Sequence, residues 1–297
     1  MQHPATVPRL GGGMMEQETR EPEGPKSGLM SLAESRGVVR DVLAAIGNLQ
    51  HLLRSPRVGP KALIQVIPGL RGFCDPLLVS LEQILEYARK AAPQGIEPAA
   101  SQLHAYTASV CARLRSALDR ATHEAMDART RLAFESEIVK CDAELNSVRQ
   151  LLDLLVHATE HAETDLFIEE VVRLAFSNGS RSVSGTNLVL ITASYTRDGS
   201  GFRASTQVLV PLLILAAAWV RSSAAGPLYL SASCREDAPV LVTISYDGPA
   251  EGEQLAFEPP LVIAPTLACA ETAARLAGAR FEAEADRVIV WLPRTAI

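Results

Sequence analysis

Gln207-Val208-Leu209-Val210-Pro211-Leu212-Leu213-Ile214-Leu215-Ala216 opens an apolar run that reaches Val220. The run is shorter than the roughly 20 residues a bilayer-spanning helix needs. It therefore predicts a helix over 207–221 buried inside a folded domain. A different period surrounds it. Asn187 to Tyr195 alternates and is β-branched, the pattern of a strand. Strands are also predicted over 227–234 and 240–246, a helix over 266–277, and a closing strand pair over 280–285 and 287–292. Leu166 to Phe176 reads as one more helix, followed by a turn at Asn178-Gly179-Ser180. Strands mixed with helices packed on one face predict an α+β sandwich.

Residues 29–162 carry a helical period throughout. In the first predicted helix, 29–54, Val39, Val42, Ile46, Leu49 and Leu53 recur at spacings of three and four. Ser55-Pro56 ends it. Residues 60–91 read as an interrupted helix, broken or kinked at Pro68-Gly69, Gly72 and Pro76. A third helix is predicted over 98–127, with Leu103, Tyr106, Val110, Leu114 and Leu118 on its seam. A fourth, over 129–159, holds Ile138, Cys141, Leu145, Val148, Leu152 and Leu155 at a coiled-coil spacing. The short turn near 125–128 makes the last two an antiparallel hairpin in an N-terminal helical bundle.

Length and composition narrow the function. The 297 residues suffice for two domains and a real core. A net charge of -6 gives no electrostatic footprint for nucleic acid or an anionic membrane. Cys74, Cys111, Cys141, Cys234 and Cys269 are odd in number and form no C-x-x-C. They read as reduced, buried thiols of a cytoplasmic protein, not as a zinc site. Residues 1–28 lack the apolar segment of a signal peptide and read as a disordered tail. No membrane insertion is expected. Gly11-Gly12-Gly13 and Gly199-Ser200-Gly201 read as tail and loop composition, not as phosphate cradles.

Taken in order, Gln207 to Ala216, Ser245-Tyr246-Asp247-Gly248-Pro249, Phe257-Glu258-Pro259, Gly278-Ala279-Arg280-Phe281 and Val288-Ile289-Val290-Trp291-Leu292-Pro293 resemble the ATP-binding domain of sensor histidine kinases, the GHKL or Bergerat fold. Glu163 to Val172, after the fourth helix, resembles the exit of a kinase dimerisation helix into that domain. The resemblance covers about 97–297. It rests on order and spacing, since no motif is intact. It implies a tail at 1–28, a helical segment at 29–95, a dimerisation-type hairpin at 96–162 and an ATPase-like domain at 163–297.

The same resemblance implies that the nucleotide site has been lost. In that family the long helix of the domain carries two asparagines, the second a ligand of Mg²⁺. The matching positions are Pro211 and Leu215, neither of which offers the oxygen a hard cation requires. An aspartate that holds adenine matches Tyr246. A shift of one residue would offer Asp247 instead. The same motif keeps Gly248, but its last glycine is Ala250. The glycine-rich turn before the next helix, where backbone N–H groups face phosphates, matches Ala264-Pro265-Thr266-Leu267-Ala268, and Pro265 removes a donor. No cofactor and no metal are expected.

A kinase of this family phosphorylates a histidine on its first dimerisation helix. His104 is the best positional match, but Ala105 stands where the family has an acid. His123-Glu124 has the acid but lies at the hairpin turn. Val38-Val39-Arg40-Asp41 also resembles an acceptor helix, with Arg40 where the histidine would stand, and arginine cannot accept a phosphoryl group. His51, His157 and His161 have no supporting acid. The resemblance implies a catalytically inactive histidine-kinase-like signalling protein, a binding scaffold or regulator in a bacterial two-component-type pathway. Its partner would be a response-regulator receiver domain or another signalling protein. The family dimerises through a four-helix bundle, which implies a homodimer, although four helices in one chain can complete that bundle alone. One alternative is a histidine phosphotransferase that relays phosphate between receiver domains through His104. Another is a structural helical scaffold with an unrelated α+β domain.

Overall fold

The computed structural model describes residues 26–54, 60–90, 95–123, 128–159, 163–176, 188–197, 201–223, 226–234, 238–248, 251–261, 265–284 and 286–292. The first four elements are long helices: α1 (Lys26–Arg54), α2 (Pro60–Lys90), α3 (Glu97–His123) and α4 (Ala128–Thr159). Helix α1 packs on α2 and α4, and α3 packs on the same two, so the four close a ring. The three-four spacing puts one stripe of each helix into a common core. Val42 and Leu49 meet Leu70, Leu77, Val110, Leu114, Leu145 and Leu152 there.

Helix α2 corrects the expectation of an interrupted element. It runs through Pro68 and Pro76 without a break. Pro68, Gly69, Gly72 and Pro76 are all exposed, whereas Ile67, Leu70, Cys74, Leu77, Leu81 and Ile84 are buried. The breakers sit on the solvent side, where water can satisfy the carbonyls that proline leaves free. Each interior proline costs about 3 kcal/mol. Each fully buried Leu or Ile contributes about 1.5–3 kcal/mol. The buried stripe therefore outweighs the two prolines.

The rest of the chain is mixed helix and sheet, as predicted. In order come β1 (Thr164–Leu166), α5 (Ile168–Phe176), β2 (Val189–Arg197), β3 (Phe202–Ala204), α6 (Thr206–Ser223), β4 (Leu228–Cys234), β5 (Val240–Ser245), β6 (Glu253–Phe257), α7 (Thr266–Leu276), β7 (Arg280–Ala283) and β8 (Arg287–Leu292). Six strands form one sheet in the order β6-β2-β4-β5-β8-β7, and β1 pairs with β3 separately. Strands β2 and β4 are parallel, and the other neighbours are antiparallel. The predicted helix from Leu166 instead starts at Ile168, because Thr164 to Leu166 pair with Phe202 to Ala204.

Helices α6 and α7 form a layer shared by two cores. From α6, Leu209, Leu212, Leu213, Ala216 and Val220 pack on the sheet. Val208 and Leu215 of the same helix belong to the bundle core. Helix α7 divides likewise, with Ala270 and Ala274 toward the sheet and Cys269 and Ala273 toward α3 and α4. This double burial is why the run from Val208 to Val220 has almost no polar face. Among the described residues α6 is the one helix long and apolar enough to cross a membrane, and half of it is buried in the fold.

Helix α7 ends in a Schellman motif. Gly278 takes φ 70°, and Ala279 N–H returns to the Ala274 carbonyl at 2.7 Å. At the same helix end the Arg275 guanidinium donates to the carbonyl of Gly95, which ties the start of α3 to α7.

Candidate functional site

Two of the positions expected to surround a nucleotide, Leu215 and Thr266, are buried in the fold itself. Leu215 is 7% exposed and sits in the bundle core beside Val208, Cys269 and Ala273. At the start of α7, Pro265 and Thr266 are buried, and Pro265 supplies neither an N–H nor a side-chain cap. Helices α3 and α4 cover this face of α6 and α7.

Tyr246 follows β5 and turns toward α6. Its hydroxyl donates to the Val220 carbonyl at 2.7 Å. Val220 lies in the last turn of α6, where carbonyls lack intrahelical partners. Tyr246 thus closes a helix end, with its hydroxyl proton committed to the Val220 carbonyl. Tyr246→Phe is expected to lower stability by about 1 kcal/mol, the net worth of one such bond, read as a lower urea midpoint with an unchanged slope. An unaltered midpoint would contradict the capping role.

Asp247 and Gly248 are exposed. Gly248 lies against the ring-bearing end of Tyr229, whose Cβ would stand 2.4 Å from a Cβ built at 248. Its backbone therefore abuts a side chain of the sheet. Pro249, Ala250 and Ala264 lie outside the described residues.

Pro211, the other position aligned with a family asparagine, is half-buried and lines an open groove of about 420 Å³. The groove runs between α4 and α6, with Asp153, Leu154 and His157 on one wall, Gln207 and Val210 on the other, and Leu174 at the end. Pro211 has no N–H to return to the Gln207 carbonyl, so that acceptor is free of the usual helix bond. The groove offers an apolar floor with a carboxylate and an imidazole at its rim, a surface for contact with another molecule. Its residues were not assembled by sequence reasoning. The signal was the (i, i+4) pair Asp153 and His157 on one side of α4.

Of the histidines, His104 is half-buried on α3, between buried Leu103 and exposed Ala105. His51 is exposed on α1. The side chain of His123, with Glu124 and His161, lies outside the described residues, as do Gly11-Gly12-Gly13, Asn178-Gly179-Ser180 and the first two residues of Gly199-Ser200-Gly201.

All five cysteines are free thiols and buried. Burial pushes Cys141 up to about 11 and Cys269 up to about 12, so neither is a thiolate at neutral pH. Among the described residues no three His, Cys, Asp or Glu side chains converge on a metal position.

Comparison with protein-family models and with curated proteins finds no match to the chain.

Proposed function

We propose that the protein is a catalytically inactive, histidine-kinase-like signalling protein that works by binding. In this reading the sandwich is a degenerate GHKL domain. The succession α5, β2, α6, β4, β5, β6, α7, β7, β8 and the separate β1–β3 pair support that reading. The carrying observation is the burial of Leu215, Val208, Cys269 and Ala273 in the core of the helical bundle. A face that would hold Mg-ATP is occupied by α3 and α4, and the domain becomes a platform fixed to the bundle.

The partner in this proposal is a receiver domain or another signalling protein, docked on the helical surface. The bundle is closed within one chain, which favours a monomeric platform over a homodimer.

The test is a thermal melt with and without millimolar Mg-ATP. A ligand that binds only the folded state stabilises it, by about 2.7 kcal/mol at a hundredfold excess over its Kd. No shift is expected. A rise in melting temperature that saturates with ATP would overturn the proposal.

The second reading, phosphotransfer through His104, draws on one observation: its ring stays partly exposed while Leu103 and Thr107 beside it are buried. It requires an acid-labile label, acquired from a phosphorylated receiver domain and absent from His104→Ala.

A further inference from the structure

On the outer surface of the bundle, Ala33, Arg36, Gly37 and Arg40 of α1 face Arg149 and Asp153 of α4 across a cleft of about 240 Å³. Three of the six lining residues are arginines, against one carboxylate. That carboxylate is only loosely engaged, with Arg36 Nη1 at 3.5 Å from Asp153 Oδ1. Among the described residues Arg40 and Arg149 make no ion pair. The other acids on this part of α1, Glu34 and Asp41, are exposed and do not line the cleft. The cleft therefore carries a surplus of two positive charges.

A second observation is independent of charge counting. The Nε of Arg149 is buried and has no hydrogen-bond partner. Leaving such a donor unsatisfied is costly, and folded proteins pair nearly all of them. None of the described residues supplies an acceptor at this position. Gly37 adds space, because a Cβ there would meet nothing within 4 Å. Arg36 and Arg40, one helical turn apart, share a face of α1 on either side of that opening.

We propose that this cleft binds a phosphoryl group. Three guanidinium forks suit a tetrahedral dianion with several acceptor oxygens better than a single carboxylate, because each fork can donate two parallel hydrogen bonds. The volume equals roughly eight waters at about 30 Å³ each, more than a bare phosphate fills. The ligand class is therefore a phosphorylated small molecule or a phosphorylated side chain, with inorganic phosphate as its minimal form. The cleft shares Asp153 with the groove between α4 and α6, but no residue of α6 or α7 lines it, and it is independent of the nucleotide reading.

The test is calorimetric titration of the full chain with inorganic phosphate, with phosphoserine and with acetate at matched ionic strength. Phosphate and phosphoserine are expected to bind at least tenfold more tightly than acetate. Arg40→Gln and Arg149→Gln should each weaken phosphate at least tenfold. Gly37→Leu should abolish binding by filling the opening. Arg149→Lys, which keeps the charge and loses the fork, should fall between wild type and Arg149→Gln, and it serves if the glutamine variant fails to fold. Arg89→Gln, whose partner is Glu97, should bind as wild type does. Tighter phosphoserine than phosphate assigns the site to a carried phosphoryl group, and equal affinity assigns it to the free oxyanion. Equal binding of acetate and phosphate, or unchanged affinity in the arginine variants, overturns the proposal.

Discussion

Leu215→Asn is expected to destabilise the protein by about 3–8 kcal/mol and to leave Mg-ATP unbound. Under the proposed kinase-like reading, it would supply the amide that the resemblance aligns with this position. In the fold it does something else. Leu215 is 7% exposed and packs with Val208, Cys269 and Ala273 against the helical bundle. Truncating a buried leucine costs about 2–5 kcal/mol. Placing an unpartnered amide there adds about 1–3 kcal/mol. Urea unfolding followed by circular dichroism reads the loss as a lower midpoint. If the variant instead kept its stability and gained an ATP-dependent rise in melting temperature, the shared layer of α6 and α7 would be a nucleotide site after all.

The second large effect concerns the sheet edge. Gly252→Val is expected to cost about 3 kcal/mol. A Cβ at 252 would stand 2.4 Å from the Ala193 carbonyl oxygen and 3.1 Å from Thr192 Cγ2. Backbone cannot swing aside as a flexible side chain can, so either β6 shifts or β2 bends, and overpacking of this kind costs about 1–3 kcal/mol or more. The neighbouring residue adds to the loss. Glu253 pairs with Ala193 in register, accepts from Arg173 at 2.9 Å, and lies 3.3 Å from the Tyr195 hydroxyl. Burial, followed by the Glu253 charge, raises the Tyr195 phenol above its ordinary range, so it stays a donor. Hydrogen exchange should report faster exchange of β6 amides before those of β4. Protection equal to wild type would show that Gly252 does not abut Ala193.

Much of the fold was legible because its signals are periodic. The seam from Ile138 to Leu155 on α4 is buried throughout. The alternation over Val240 to Ser245 matches a strand with every second residue buried. In α2 the helical period is legible but its continuity is not, because Pro68 and Pro76 count against a helix locally and only the packed bundle shows that both face water. Strands β1 and β3 have three residues each, too few to carry a period. In β6 only Leu255 and Phe257 are buried, and Phe257 read as part of a motif.

The site was legible only by halves. That Leu215 is no metal ligand follows from its chemistry. That it belongs to a different core from Leu212, three residues earlier, needs the third layer. The groove and the arginine cleft depend on helices far apart in sequence, and no local pattern brings Arg40 to Arg149.

The closed ring of α1 to α4 has a consequence for synthesis. Arg36 and Asp153, which face each other across α1 and α4, are 117 residues apart. At about 5–20 residues per second on the ribosome, α1 emerges on the order of ten seconds before the helix that covers it. During that interval Val39, Val42, Ile46 and Leu49 have only α2 for shelter. Helices α6 and α7 lean on α3 and α4, so a closed bundle supplies the surface on which Val208, Leu215, Cys269 and Ala273 are buried. The nascent hairpin of α1 and α2 therefore carries an uncovered apolar stripe until 128–159 has been made, the kind of surface chaperones shield.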